Sequence, residues 1–241
     1  MEKNSIAFSA VWGLFIGVGI VIAGWNMGNA LYKARASERY VTVKGLAERE
    51  VDADLAIWPI TFKEAGNDLI GLQRSVDSKR KLIVEFLEKS GFKGAAISRS
   101  APRITDTQAE LYGESKSGQQ FRYVAQASIT LRSRDVPLVK EAIEKSGELV
   151  SSGVVLVSDD WQNKTQFLYT SLNKIKPQMI ASATLSAREA ADKFAKDSGS
   201  KVGTIRKATQ GLFEVTDRDA NSPDRKNIRL VTTVEYFLID D

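Results

Sequence analysis

Phe121–Arg132 reads FRYVAQASITLR, and its alternation sets the fold class. Phe121, Tyr123, Ala125, Ala127, Ile129 and Leu131 point one way; Arg122, Gln126, Ser128, Thr130 and Arg132 point the other. A period of two with one apolar face is the mark of a half-buried strand in an antiparallel sheet. Upstream, Asn67–Ser90 carries Leu69, Leu72, Val76, Ile83, Phe86 and Leu87 at steps of three and four, so it reads as a long amphipathic helix. Asn67 or Asp68 is suited to cap it, and Gly91 to end it. Ala95–Ile104 comes next as a strand. Thr105–Gln120 is polar and is expected to be a mobile loop or hairpin tip, functional or merely disordered.

Downstream, Asp135 caps a short helix running to about Ser146, with Pro137 in its first turn. Val150–Val157 and Trp161–Thr170 read as two strands. Asn173–Ser198 is a second long helix, with Ile175, Met179, Ala183, Ala187, Ala190, Ala191 and Phe194 on one face. That alanine-rich stripe allows close packing on a sheet. Val202–Val215 and Asn227–Ile239 are the closing strands, around the polar loop Thr216–Lys226. At the other end, Tyr40–Ala65 reads as a strand pair about a turn at Val51–Asp54. Ala56, Trp58, Ile60 and Phe62 share a face of its second strand, and Pro59 places that strand at an edge or marks a bulge.

Lys89-Ser90-Gly91, Lys145-Ser146-Gly147 and Asp197-Ser198-Gly199 each fall where a helix is expected to stop. A loose echo of strand, long helix, Gly, strand and Thr-Asp links Ala56–Asp106 with Gln162–Asp217, from a duplication or from common αβ grammar. The order ββαβ, βαβ, βαββ predicts an α+β fold, mainly antiparallel, with two long helices packed on the sheets. Residues 40–120 and 171–241 are expected to form an outer domain, with 121–170 inserted as a small α/β unit.

Residues 1–5 form a short tail before Ile6–Trp25, IAFSAVWGLFIGVGIVIAGW, which has no charged side chain. About twenty apolar residues cross roughly 30 Å of hydrocarbon as a helix. A cleavable signal peptide fits less well: its apolar region is shorter, and Ala34-Arg35-Ala36 lies too far beyond Trp25 for cleavage. The stretch is therefore expected to be a single transmembrane anchor, joined to the body by a linker over residues 26–39. Lys33, Arg35 and Arg39 after the helix, against Lys3 before it, argue for a cytoplasmic body. The short tail has the form of a signal anchor, which exports the C-terminal body, and export is the expectation. Gly13, Gly17, Gly24 and Gly28 share one helix face, either for close helix approach or because Gly is frequent in such helices. Trp25 suits the aromatic belt at the membrane surface.

The chain has 241 residues, a net charge of +4, and no Cys or His. Cysteine and histidine nucleophile–base mechanisms, disulfides and the usual zinc ligands are thereby excluded within the chain. Lys and Arg are interspersed with Asp and Glu, without the basic stripe of a nucleic-acid binder. Asp217–Asp224, DRDANSPD, superficially resembles a calcium loop, but Ser222 and Ile228 stand where such a loop needs Gly and Glu. It reads as a solvated hairpin tip or a weak cation site. Asp52 with Asp54, and Asp159 with Asp160, are candidate acid–base pairs at expected turns, where Asp also serves the backbone. Asn163-Lys164-Thr165 matches a glycosylation acceptor but lies in an expected strand. Trp58 and Trp161 read as core or interface residues.

Val41-Thr42-Val43-Lys44-Gly45-Leu46-Ala47-Glu48, followed by Val51-Asp52-Ala53-Asp54-Leu55-Ala56, resembles the start of the SIMPL-domain family. That family opens with V-x-V-x-G-x-G-E and then P-D-x-A; Ala47 replaces its second Gly, and Ala53 its Pro. The resemblance covers roughly residues 40–239. It implies an exported bacterial envelope protein, periplasmic or membrane-anchored, with an α+β fold. It further implies relatives that assemble into rings, links to oxidative-stress tolerance and signalling complexes, and no accepted enzymatic activity. It supplies no catalytic residues to carry over. Gly45 suggests a bulge or a close backbone contact, and Asp54 a turn or cap.

The expected function is a non-enzymatic scaffold or binding module in the inner membrane. It would contact the bilayer through residues 6–25, self-associate through its sheet edges or anchor, and use no cofactor, metal or nucleic acid. The alternative is a ligand-binding or hydrolytic domain with a carboxylate-lined pocket.

Overall fold

A computed structural model describes residues 13, 17–30, 39–109, 120–157 and 164–240. The chain divides into two compact units. One comprises residues 1–48, 176–214 and 229–241; the other comprises 49–175 and 215–228. The fold is α+β. The sheets are three-stranded, in the order β1 (Tyr40–Asp52), β8 (Arg225–Asp240), β7 (Ser200–Asp217), and five-stranded, in the order β3 (Ile97–Arg99), β5 (Tyr123–Ser133), β2 (Leu55–Gly66), β6 (Gln166–Leu168), with β4 (Arg103–Asp106) also on β5. The division differs from the expected insert at 121–170, because β5 (Tyr123–Ser133) pairs along its whole length with β2 (Leu55–Gly66).

In the second unit β2 and β5 run antiparallel, with Trp58 opposite Leu131, Ile60 opposite Ile129 and Phe62 opposite Ala127. Those side chains are buried, as the alternation at Phe121–Arg132 requires. Phe121 itself precedes β5 and is exposed. Over this face lies α2 (Leu69–Lys89), which buries Leu72, Val76, Ile83, Val84, Phe86 and Leu87. Asp68 caps it by accepting from the Ile70 and Gly71 amides, and Gly91 ends it at φ +93. Asp135 likewise caps α3 (Val136–Glu144) by accepting from Leu138 N–H. Register is continuous through Pro59 opposite Thr130, without a bulge, although β2 lies inside the sheet. Among the described residues β6 (Gln166–Leu168) pairs with β2 only from Leu55 to Ile57, so the missing N–H of Pro59 removes no described ladder bond.

Several elements differ from expectation. Ala95–Ile104 is not one strand: β3 (Ile97–Arg99) and β4 (Arg103–Asp106) are separated by Ser100-Ala101-Pro102. Arg99 lies opposite Ile129 and Arg103 opposite Gln126, so three residues on this side span two on β5 and shift the register by one. Val150 begins no strand. Gly147–Ser151 forms a helical turn, α4, that buries Leu149 and ends at Gly153 with φ +81; beyond it Leu156 makes one bridge to Phe62. Gly147 therefore opens a helix, unlike Gly91 and Gly199, which take the left-handed conformation that ends one.

In the first unit β1 (Tyr40–Asp52) and β8 (Arg225–Asp240) are antiparallel: Leu238 N–H donates to Arg39 C=O, and Arg229 meets Glu48 at the far end. The third strand is β7 (Ser200–Asp217). α5 (Leu172–Asp197) buries Ile175, Met179, Ala183, Ala187, Ala191 and Ala195 in steps of four. Phe194, expected on that face, is exposed. Two turns and more before it the helix lies close to β1: a Cβ on Gly45 would lie 1.8 Å from Ala183 O and 2.6 Å from Ala187 N. A helix that close to a strand accepts alanine and excludes phenylalanine.

Tyr40–Ala65 yields two strands, but they are not partners; β1 belongs to the three-stranded sheet and β2 to the five-stranded one. Ala53 and Asp54 connect them without a hairpin, because other segments take up their polar groups. Ala53 N–H donates to Asp224 O and Asp54 N–H to Leu168 O. Residues 17–30 form helix α1, exposed throughout, with the remainder of Ile6–Trp25 outside the described residues. Among the described residues no helix is long and apolar enough to cross a membrane.

Candidate functional site

The carboxylates singled out in the sequence converge in part. Asp52, the last residue of β1, and Asp224, from the β7–β8 tip, line one cleft of ≈ 440 Å³ in the second unit. α3 forms its other wall, presenting Lys140, Glu141 and Glu144 from one helical face. The backbone bond from Ala53 to Asp224, at 2.8 Å, holds the two acidic segments together.

Asp52, Asp224 and Glu141 each have a cation in reach. Asp52 pairs with Arg225 at 2.9 Å, Asp224 with Lys140 at 2.8 Å, and Glu141 with Lys145 at 2.6 Å. The Lys140 ammonium holds the Asp224 carboxyl below the usual carboxylate range, against a smaller opposing effect of burial. Lys145 does the same for Glu141. A general acid working near neutral pH needs its pKa raised. These shifts run the other way, so the cleft presents fixed negative charges interleaved with fixed positive ones.

Asp54 does not join Asp52 as an acid–base pair. Its carboxylate accepts from Thr170 N–H at 2.6 Å, Thr170 Oγ1 at 2.9 Å and Ser171 N–H at 2.8 Å. Burial pushes its pKa up, but the bonds from Ser171 and Thr170 outweigh it and leave the group below its ordinary value. Asp54 thus fastens the β1–β2 link to the start of α5, the cap-like role its sequence position suggested.

The loop Asp217–Asp224 does not gather its carboxylates. Asp217 pairs with Lys226, Asp219 with Arg218 at 2.8 Å, and Asp224 turns to Lys140. Among the described residues no group of three or more acidic side chains could hold a metal ion. Asp159, Asp160, Trp161 and Asn163 lie outside the described residues. Trp58 is a core residue, and Trp25 is exposed on α1. No local pattern points to Lys140, which is 84 positions from its partner Asp224; only the fold brings them together.

Comparison with known families matches residues 41–229 to SIMPL, described as a protein of unknown function (DUF541). No curated protein matches the chain. The match starts at the Val41 strand and spans both sheets and all the helices from α2 onward. This chain belongs to the SIMPL family.

Proposed function

We propose that the chain is a membrane-tethered binding or scaffold module of the bacterial envelope, without an enzymatic reaction of its own, that self-associates through a sheet edge. The observation that carries this reading is β7. It ends the order of its sheet, runs 18 residues, and is exposed along most of its length, with Leu212 94% accessible. Among the described residues nothing pairs with its outer side, and a long edge of this kind is a template for another strand. Asp224 and Glu141, each held below its ordinary pKa by a lysine, favour this reading over hydrolytic chemistry. The composition of Ile6–Trp25 supports an inner-membrane anchor, and the body is placed by this proposal on the periplasmic side.

Alkaline carbonate extraction of the full chain, with protease added to spheroplasts, tests the tether. Retention in the membrane pellet and digestion of the body from outside are expected. Release to the aqueous fraction, with an N-terminus near Ser37, contradicts the tether. Protection from protease contradicts export.

A further inference from the structure

A second groove lies in the second unit, where the edge of its sheet meets α2. β3 is the end strand of the five-stranded sheet; among the described residues no strand pairs with its outer side, where Ile97 N–H donates to Gly94 C=O. Ser100 N–H donates to Ser128 O across the β3–β5 ladder. Antiparallel bonding alternates residue by residue, so the N–H and C=O of Arg99 turn away from β5 toward the open edge. Arg99 lies opposite buried Ile129, which places its side chain on the sheet face that α2 covers. There it lines a groove of ≈ 530 Å³ with Asp77, Arg80, Lys81, Val84 and Glu85, residues that form one stripe of α2 at steps of three and four.

The charges of this groove are not settled internally. Arg80 is mostly buried, with 17% of its side chain exposed, and bonds through one terminal nitrogen to Ser100 O. Its nearest carboxylate, Asp77, is 3.8 Å away, and Gln73 already bonds to that carboxylate. The Nε of Arg80 is buried without a partner. Arg80, Lys81 and Arg99 stand against Asp77 and Glu85 in this groove, which leaves a net positive charge that an incoming carboxylate offsets through the accessible Lys81 and Arg99.

We propose that this groove accepts an extended acidic peptide segment, which adds as a strand to the outer edge of β3. Its main chain would bond Arg99 N–H and C=O. Every second side chain of an added strand falls on the α2 side. Acidic residues at those positions meet Arg80, Lys81 and Arg99. The intervening ones fall on the opposite face beside Ser98 and Ser100, which favour polar partners such as threonine. This site is separate from the β7 edge and does not depend on self-association.

The test uses a fluorescent seven-residue peptide alternating Thr and Glu, and its counterpart with Lys for Glu, titrated against the full chain in detergent by anisotropy. Amide hydrogen exchange is followed in parallel. The Glu peptide is expected to bind at least tenfold more tightly than the Lys peptide and to protect the Arg99 amide. Lys81→Glu, a change at an exposed helix position, should weaken it at least tenfold. Arg99→Pro removes the outward N–H without removing a β5 bond and should weaken binding of the Glu peptide at least tenfold. Equal binding of the two peptides, no binding, or binding unaffected by Lys81→Glu would overturn the proposal. So would inorganic phosphate competing fully while the Arg99 amide stays unprotected, since the groove would then be an anion pocket with no strand added.

Discussion

The two units each lay one long helix on a sheet, and they do so with opposite materials. α2 meets β2 and β5 through Ile83, Phe86 and Leu87 against Trp58, Ile60 and Phe62. α5 meets its sheet through alanines against Gly45, Val43, Val234 and Tyr236. The first interface is thick and gains stability from buried apolar area. The second is thin and depends on close approach, so adding volume harms it where removing volume would harm the first. The same layer can be disrupted in two opposite directions.

Truncation in the thick interface should have the largest effect. Phe62→Ala removes a fully buried ring and is expected to cost about 3–5 kcal/mol, read from urea unfolding with Trp58 fluorescence as the probe. Enlargement in the thin interface comes next. Gly45→Ala forces a carbon onto the α5 backbone and should cost about 1–3 kcal/mol, with faster hydrogen exchange in β1 and α5 but not in α2. Equal acceleration in α2 would show that the two interfaces are not distinct.

Asp54→Ala leaves the Thr170 and Ser171 donors unmet and should cost about 1–3 kcal/mol near neutral pH. Because the folded-state pKa of Asp54 lies below its ordinary value of 3.8, its contribution is present above that value and is lost as pH falls through the lowered pKa. Acid unfolding of the Asp54→Asn variant should accordingly show a shallower loss between about pH 5 and the acid limit. The smallest effect belongs to the half-exposed Lys140–Asp224 pair. Lys140→Ala should change stability by no more than about 1 kcal/mol, and less at high salt.

The elements that rest on periodicity are readable from sequence. The alternation in Phe121–Arg132, the apolar stripe of α2 and its Asp68 and Gly91 ends all lie where the residues place them. Features that depend on distant partners are not readable. Neither the separation of β1 from β2 nor the meeting of Asp52 with Asp224 has a local signature, since the bonds that impose them come from Asp224, Leu168 and α3. Phe194 departs from its expected face because the buried residues of α5 recur in steps of four from Ile175 to Ala195, a phase that puts Ala195 and not Phe194 on the sheet side, and helical spacing alone permits either. Pro102 is a local sign of a different kind, sitting where Ala95–Ile104 breaks into β3 and β4.

Central to the proposed role is a tethered module whose open β7 edge joins copies of the chain. Mass photometry of the detergent-extracted full-length protein over a dilution series tests this most directly. A discrete oligomer is expected, shifting toward monomer when Leu212→Lys places a charge on the exposed strand. A strict monomer at every concentration, or an oligomer unchanged by that substitution, would contradict it.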